Sequence, residues 1–388
     1  MFRLQPPLPD DYTTASSDEL VARVTAARSR LGKRLLILGH HYQREEVIQF
    51  ADLKGDSLGL SRYAADRHDA EFVVFCGVHF MAESADILTG PHQQVILPDL
   101  NAGCSMADMA NLDDVSQIWD ELAEVTDIEA IVPITYVNSA AVLKAFVGRN
   151  SGAVCTSSNA RAVLSWALEL EDRAGSAPVG AQAPTGLSSD RGSCAKKVLF
   201  FPDQHLGRNT GFQLGYRATD MQVMDPRRSL GGLSDAEVKE ATLLLWKGHC
   251  SVHQRFRPGH VEAFRSEHPH GIVIVHPECS HEVVEMADQV GSTDYIIRAV
   301  SSAPAGSTIA VGTEIHLVDR LAREHADRTV LSLDPMVCPC STMSRIDLPH
   351  LAWVLDGLVA GEVRNRITVD EATAADARVA LDRMLAIA

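Results

Sequence analysis

Cys104, Cys250 and Cys340 each come a few residues after a short apolar run, at 95–97, 243–246 and 330–333. A strand that ends in a thiol-bearing turn puts sulfur at the carboxyl edge of its sheet, where open α/β sheets bind their ligands. Thiolates hold zinc in structural sites and iron in iron–sulfur clusters. The chain has no CxxC pair, so spacing alone leaves zinc, iron–sulfur and plain core packing all open. What favours a shared metal centre is the repeated position after an apolar run. Three thiolates on a four-iron cluster leave one iron open, and an open metal position suits Lewis-acid catalysis. Within DPMVCPCSTMSR, residues 334–345, Cys338 competes with Cys340, and Cys279 is a further spare.

Polar residues of matching character follow other apolar runs. HHYQ at 40–43 places His40 and Tyr42 just beyond the first run. An imidazole can orient an anion or move a proton, and a phenol can serve as an acid. HPE at 276–278 is the corresponding turn further on, where His276 can orient an anion and Glu278 can act as a base once burial raises its pKa. The plainer role for Glu278 is to cap a helix. Ser57, Tyr136, Asn138, Ser157 and Thr293 are neutral hydrogen-bonding groups at run ends or helix starts. Such places favour carboxylates and phosphates. His253, three residues after Cys250, is placed to reach the metal region or a substrate phosphate, or else simply to face solvent.

These residues need elements to hold them. Apolar runs at 35–38, 72–75, 95–97, 131–134, 153–155, 198–201, 243–246, 272–275, 295–297, 308–311 and 330–333 read as strands. Between them lie polar turns and helical spacings, including 17–31 and a helix capped by Asp56 or Ser57. Strands alternating with helices indicate parallel sheets under helical cover. The alternation restarts twice, so the expected fold is α/β: three similar α/β/α units around a pseudo-threefold axis. The expected boundaries are 1–115 for the first unit with an N-terminal helix, 116–262 for the second, and 263–346 for the third. Residues 347–388 read as a helical tail packing back on the first unit. Residues 173–193 are rich in Gly, Ala, Ser and Pro and read as a flexible insertion, with Cys194 at its margin.

The net charge is -16, from 51 acidic against 35 basic residues, which opposes binding to a phosphate backbone. No nucleic-acid partner is expected. The N-terminus lacks a signal-peptide core and no run is long enough to span a bilayer, so a cytoplasmic protein without membrane contact is expected. In that compartment the 8 cysteines are better read as free thiols or metal ligands than as disulfides.

The stretches HHYQREEVIQFADLKGDSLGLS, LPDLNAGCSMAD, PITYVNSAAVLKAFVGRN, WKGHCSVHQRF, HPECSHEVVEMAD and DPMVCPCSTMSRI together resemble the quinolinate synthase family of bacterial NAD biosynthesis. The CPC turn and longer middle segment resemble its long form. The resemblance implies a [4Fe–4S] cluster at the central interface of three α/β/α units, held by Cys104, Cys250 and Cys340, with Cys338 unligated and one iron open. It implies condensation of iminosuccinate with dihydroxyacetone phosphate to quinolinate, phosphate and two waters, the iminosuccinate being supplied by L-aspartate oxidase. By position, His40, Ser57, Tyr136, Asn138, Ser157, His276, Glu278 and Thr293 would hold the substrates. Tyr42 and Glu278 would be the main proton movers, with His253 a further candidate. Two other readings use the same residues: a different iron–sulfur hydro-lyase acting on a small carboxylic acid, and a non-enzymatic iron or redox sensor.

Overall fold

The computed structural model describes residues 5–168, 196–336 and 339–387. The expected insertion at 173–193, Cys194 and Cys338 lie outside the described residues. Three parallel sheets of four, five and four strands form, each flanked by helices. The first contains β1 (Leu35–His40), β2 (Leu53–Gly55), β3 (Phe72–Cys76) and β4 (Gln94–Ile96). The second contains β5 (Ile131–Tyr136), β6 (Ala153–Cys155), β7 (Lys197–Phe201), β8 (Met221–Met224) and β9 (Leu243–Trp246). The third contains β10 (Ile272–Val275), β11 (Gln289–Val290), β12 (Thr308–Gly312) and β13 (Thr329–Ser332). This is the expected α/β class.

The strand orders are β2-β1-β3-β4, β6-β5-β7-β9-β8 and β11-β10-β12-β13. In every sheet the first strand along the chain lies between the second and the third. Strands buried on both faces have no reason to alternate apolar with polar residues. Accordingly β1, β3, β5 and β9 are buried along their whole length, which is why they stood out as unbroken apolar runs.

One expected strand is not a strand. Residues 295–297 lie inside the helix Thr293–Ser302. Ser292 caps it, its side chain accepting from the Tyr295 N–H, and Ile296 and Val300 are buried one turn apart. Spacing of four outweighed a three-residue apolar triplet. The helices expected at 17–31 and after Asp56 are present as Ser17–Leu31 and Ser57–Asp66. Asp56, rather than Ser57, is the cap, and its carboxylate accepts from the Gly59 N–H at 2.7 Å.

The chain divides into two compact units. One comprises Met1–Ser105, Ser251–His276 and Glu285–Glu371, and so contains the first and third sheets. Within it, the helix Leu348–Ala360 packs along the helix Ser17–Leu31. The Arg23 guanidinium and the Tyr12 hydroxyl both donate to Asp356 across that contact, at 2.9 and 3.0 Å. The other unit comprises Met106–Cys250, Pro277–Val284 and Ala372–Ala388, and contains the middle sheet. There the indole N–H of the buried Trp246 donates to the Met109 carbonyl at 2.7 Å. The helix Glu371–Ile387 buries Ala377, Ala380, Leu381 and Met384 against this unit. Among the described residues no helix is long and apolar enough to cross a membrane.

Gly148 shows how closely that last helix is seated. A Cβ at Gly148 would collide with the backbone carbonyl of Asp376. Gly148→Ala should gain about 1 kcal/mol in helix propensity. Overpacking against a backbone atom that cannot turn aside should cost about 1–3 kcal/mol or more. The expected net result is destabilisation, visible as a lower urea midpoint; an unchanged or higher midpoint would contradict this packing.

Candidate active site

In the unit built on the first and third sheets, a chain of hydroxyl and imidazole groups forms at the carboxyl ends of β1, β10 and β12. β1 ends in His40, whose Nδ1 accepts from the Tyr42 N–H at 3.1 Å. The two rings meet edge to face at 4.8 Å. This folds the turn back so that the Tyr42 hydroxyl lies 2.7 Å from Thr313 Oγ1 and 3.1 Å from Thr293 Oγ1. Thr313 is the first residue after β12, and Thr293 opens its helix. Thr313 Oγ1 also lies 3.2 Å from His253 Nε2. The His253 ring stacks on that of His276 at 4.6 Å, and the His276 N–H donates to the Gly312 carbonyl at 3.1 Å. Thr313, His253 and His276 are almost fully buried.

The HHY turn is braced from the third sheet's side of the same unit. Arg320 is buried; it donates to the His41 carbonyl at 3.0 Å and meets His41 Nδ1 at 3.2 Å. His41 Nε2 lies 3.3 Å from Asp294, and this hydrogen bond holds the Asp294 carboxyl below its usual range. A hydroxyl both donates and accepts, so a phenol–threonine–imidazole chain can carry a proton with no net charge left in the middle. General acid–base work asks for such a group near its substrate.

The unit built on the middle sheet presents a carboxylate pair instead. β5 ends in Tyr136, whose hydroxyl donates to Glu278 Oε1 at 2.6 Å, both residues being buried. Asp203 follows β7 and caps the helix Gln204–Gln213, accepting from the N–H groups of His205 and Leu206. Burial, and then the charge of Glu278, hold Asp203 well above the usual carboxylate range. Asn209, on the same helix, donates to the carbonyls of Pro277 and Cys279 at 2.8 and 2.9 Å and so fixes the loop that carries Glu278. The His281 ring stacks on Phe212 at 3.8 Å and pins the far end of that loop. Burial, followed by the charges of Arg208 and His249, lowers His205 to about 4.

The described cysteines fall into two kinds. Cys76, Cys155 and Cys279 are buried, whereas Cys104, Cys250 and Cys340 are partly accessible and stand in turns. Burial pushes the Cys76 thiol up to about 12 and raises Cys155 further, so both stay protonated. A metal ligand must be a thiolate. Cys104, Cys250 and Cys340 are the described cysteines left partly accessible. The Cys340 N–H donates to the buried Glu314 carboxylate at 3.2 Å.

Of the sequence-derived candidates, Tyr42, Thr293, His253, His40 and His276 share one hydrogen-bonded and stacked group, and Tyr136 and Glu278 share another. Asn138 and Ser157 lie two residues beyond Tyr136 and Cys155, which face each other in the β5–β6 register. Ser57 is buried in the first turn of its helix, and its carbonyl accepts from Ser61. Thr313 and Asp203 were not among the candidates. Both follow the third strand of their sheet, and strand order is the signal that points to them.

The family model described as Quinolinate synthetase A protein matches residues 22–178 and 189–386. The chain is 54% identical to a quinolinate synthase of Nocardioides sp. over 380 residues, which is 98% of this chain and 92% of that protein. It is 52% identical to one of Streptomyces coelicolor, covering 98% of this chain and 91% of that one. A Geobacillus sp. quinolinate synthase is 50% identical, with 98% and 97% covered.

His205 gives a pH-dependent expectation. Its folded value of about 4 lies below the ordinary 6.5, so between these the native state binds fewer protons than the unfolded chain. Stability from this group is present above pH 6.5 and lost as pH falls towards 4, by up to about 3 kcal/mol. His205→Gln should flatten that part of the profile in urea unfolding across this range. Parallel profiles for variant and wild type would show that His205 titrates normally.

Proposed function

The chain belongs to the Quinolinate synthetase A protein family, and on that premise we propose that it condenses iminosuccinate with dihydroxyacetone phosphate, yielding quinolinate, phosphate and two waters. It thus serves NAD biosynthesis in the cytoplasm, fed with iminosuccinate by an L-aspartate oxidase. The observation that carries this reading is the hydroxyl chain from Tyr42 through Thr313 to His253. Loss of two waters and closure of a ring need protons delivered and removed at fixed places, and a buried relay of neutral groups does this without stranding a charge.

In this reading Tyr42 delivers and recovers a proton at its phenol oxygen. Thr313 passes it on, and His253 is the reservoir at the far end. Glu278, oriented by the Tyr136 hydroxyl at 2.6 Å, takes a proton from carbon or nitrogen of the substrate. Asp203, held towards its protonated form, reduces the negative charge beside Glu278. His40, Ser57, Asn138, Ser157, His276 and Thr293 supply donors for the carboxylates and phosphate. Neutral donors suit these anions, since the chain's overall charge of -16 repels them.

Cys104, Cys250 and Cys340 are the residues that would hold a [4Fe–4S] cluster, their partial accessibility being what supports this choice over the three buried thiols. When bound, such a cluster supplies one iron without a protein thiolate, a Lewis acid for a substrate oxygen.

The test is anaerobic formation of quinolinate from the two substrates by the purified, reconstituted chain. Thr313→Val and Tyr42→Phe should each lower kcat about a hundredfold or more, with iron and acid-labile sulfide content unchanged. Full turnover in Thr313→Val would remove the relay from the mechanism. Absence of quinolinate from the wild type, with cluster in place, would remove the proposed reaction.

A further inference from the structure

Two Arg–Asp pairs bracket the Cys340 turn, and no step proposed above uses them. Asp99 is completely buried in the loop between β4 and Cys104. Its Oδ1 accepts from the N–H and the side-chain amide of Asn101, at 2.8 and 3.0 Å. Its Oδ2 accepts from Arg345 Nε at 2.8 Å, with His350 Nε2 at 3.7 Å. Arg345 lies five residues past Cys340, at the end of a turn closed by the Ser344 N–H on the Cys340 carbonyl at 2.9 Å. On the other side, the buried Asp334 accepts from Arg255 Nε at 3.1 Å, and Arg255 Nη2 also donates to the Met336 carbonyl at 2.8 Å. Arg255 lies five residues past Cys250 in the chain.

The geometry is specific in a way that stability alone does not require. Each pair joins a buried carboxylate to a guanidinium that is close to half exposed. Here each pair joins residues more than seventy apart in sequence, 246 and 79 positions, and Arg345 and Arg255 each lie five residues past an accessible cysteine in the chain. The carboxylate of Asp99 spends its remaining lone pairs on the loop leading to Cys104, so that loop and the Cys340 turn are ordered together.

We propose that Asp99–Arg345 is a positioning pair, which sets the Cys340 turn against the Cys104 loop so that their thiolates can take up and retain a cluster, with Arg255–Asp334 fixing the start of the same turn. This rests on the cluster reading above. Groups just outside a metal's ligands commonly change affinity by about 10–100-fold when removed. Arg345 is the better probe, because its side chain is half exposed while Asp99 is closed off.

The experiment compares full-length wild type, Arg345→Met, Arg345→Lys and an Asp99→Asn/Arg345→Met double variant, each reconstituted anaerobically with ferrous iron and sulfide. Iron, acid-labile sulfide, visible absorption and the rate of bleaching by a chelator are read beside thermal melting of the metal-free protein. The Asp99→Asn/Arg345→Met double variant, which buries no lone charge, should bleach at least about tenfold faster than wild type, with Arg345→Lys close to wild type and the metal-free melting of both nearly unchanged. Arg345→Met alone leaves Asp99 buried without its partner, so its own metal-free melting should fall and only the melting of the double variant decides. Wild-type retention of cluster by the double variant overturns the inference. So does faster bleaching of the double variant that only follows a matching fall in its metal-free melting, since the pair is then structural. A wild type that takes up no sulfide overturns the cluster reading itself.

Discussion

Everything functional here depends on where parallel strands stop. In each sheet the first strand lies between the second and the third, so the connections leaving the carboxyl ends of the first and third strands depart in opposite directions. Turns that diverge cannot close over each other, and the crevice between them is where open α/β sheets bind ligands. The residues at those three places are His40 after β1, Tyr136 and Asp203 after β5 and β7, and His276 and Thr313 after β10 and β12. One topological rule, repeated three times, places polar side chains at the strand ends of each sheet.

The same rule explains what the site could and could not disclose in advance. β1, β3, β5, β7, β9, β10 and β12 were legible because burial on both faces leaves unbroken apolar runs. The strands β2, β8 and β11 were missed: LKG, MQVM and QV are short, sit at sheet edges and keep partly exposed side chains, so they carry no such run. The triplet at 295–297 failed the other way. YII looks like a strand until Ser292 is seen to start a helix whose buried face is Ile296 and Val300. Tyr42, His253 and Glu278 were legible from their place, two of them just beyond an apolar run and His253 three residues after Cys250. Thr313 and Asp203 did not, because threonine after a strand and aspartate before a helix are what capping alone would provide. Their second roles come from partners more than fifty residues away, Tyr42 and His253 for the one and Glu278 for the other.

Burial separates the six described cysteines more sharply than spacing does. Cys76 and Cys155 end β3 and β6, within the hydrogen-bonded ladder, and behave there as small apolar residues. Cys104, Cys250 and Cys340 come several residues later, after the chain has left the sheet. There the sulfur is partly accessible. Cys279 shows that distance alone does not decide: it lies four residues past β10, as Cys250 does past β9, yet it is fully buried.

The two hydrogen-bonded groups use the shared topology for opposite electrical ends. Around Tyr42 the partners are hydroxyls and imidazoles, all able to be neutral, so burial costs little once each is bonded. Around Glu278 a second carboxylate is close enough to raise Asp203, a position that burial of two negative charges makes expensive unless one keeps its proton.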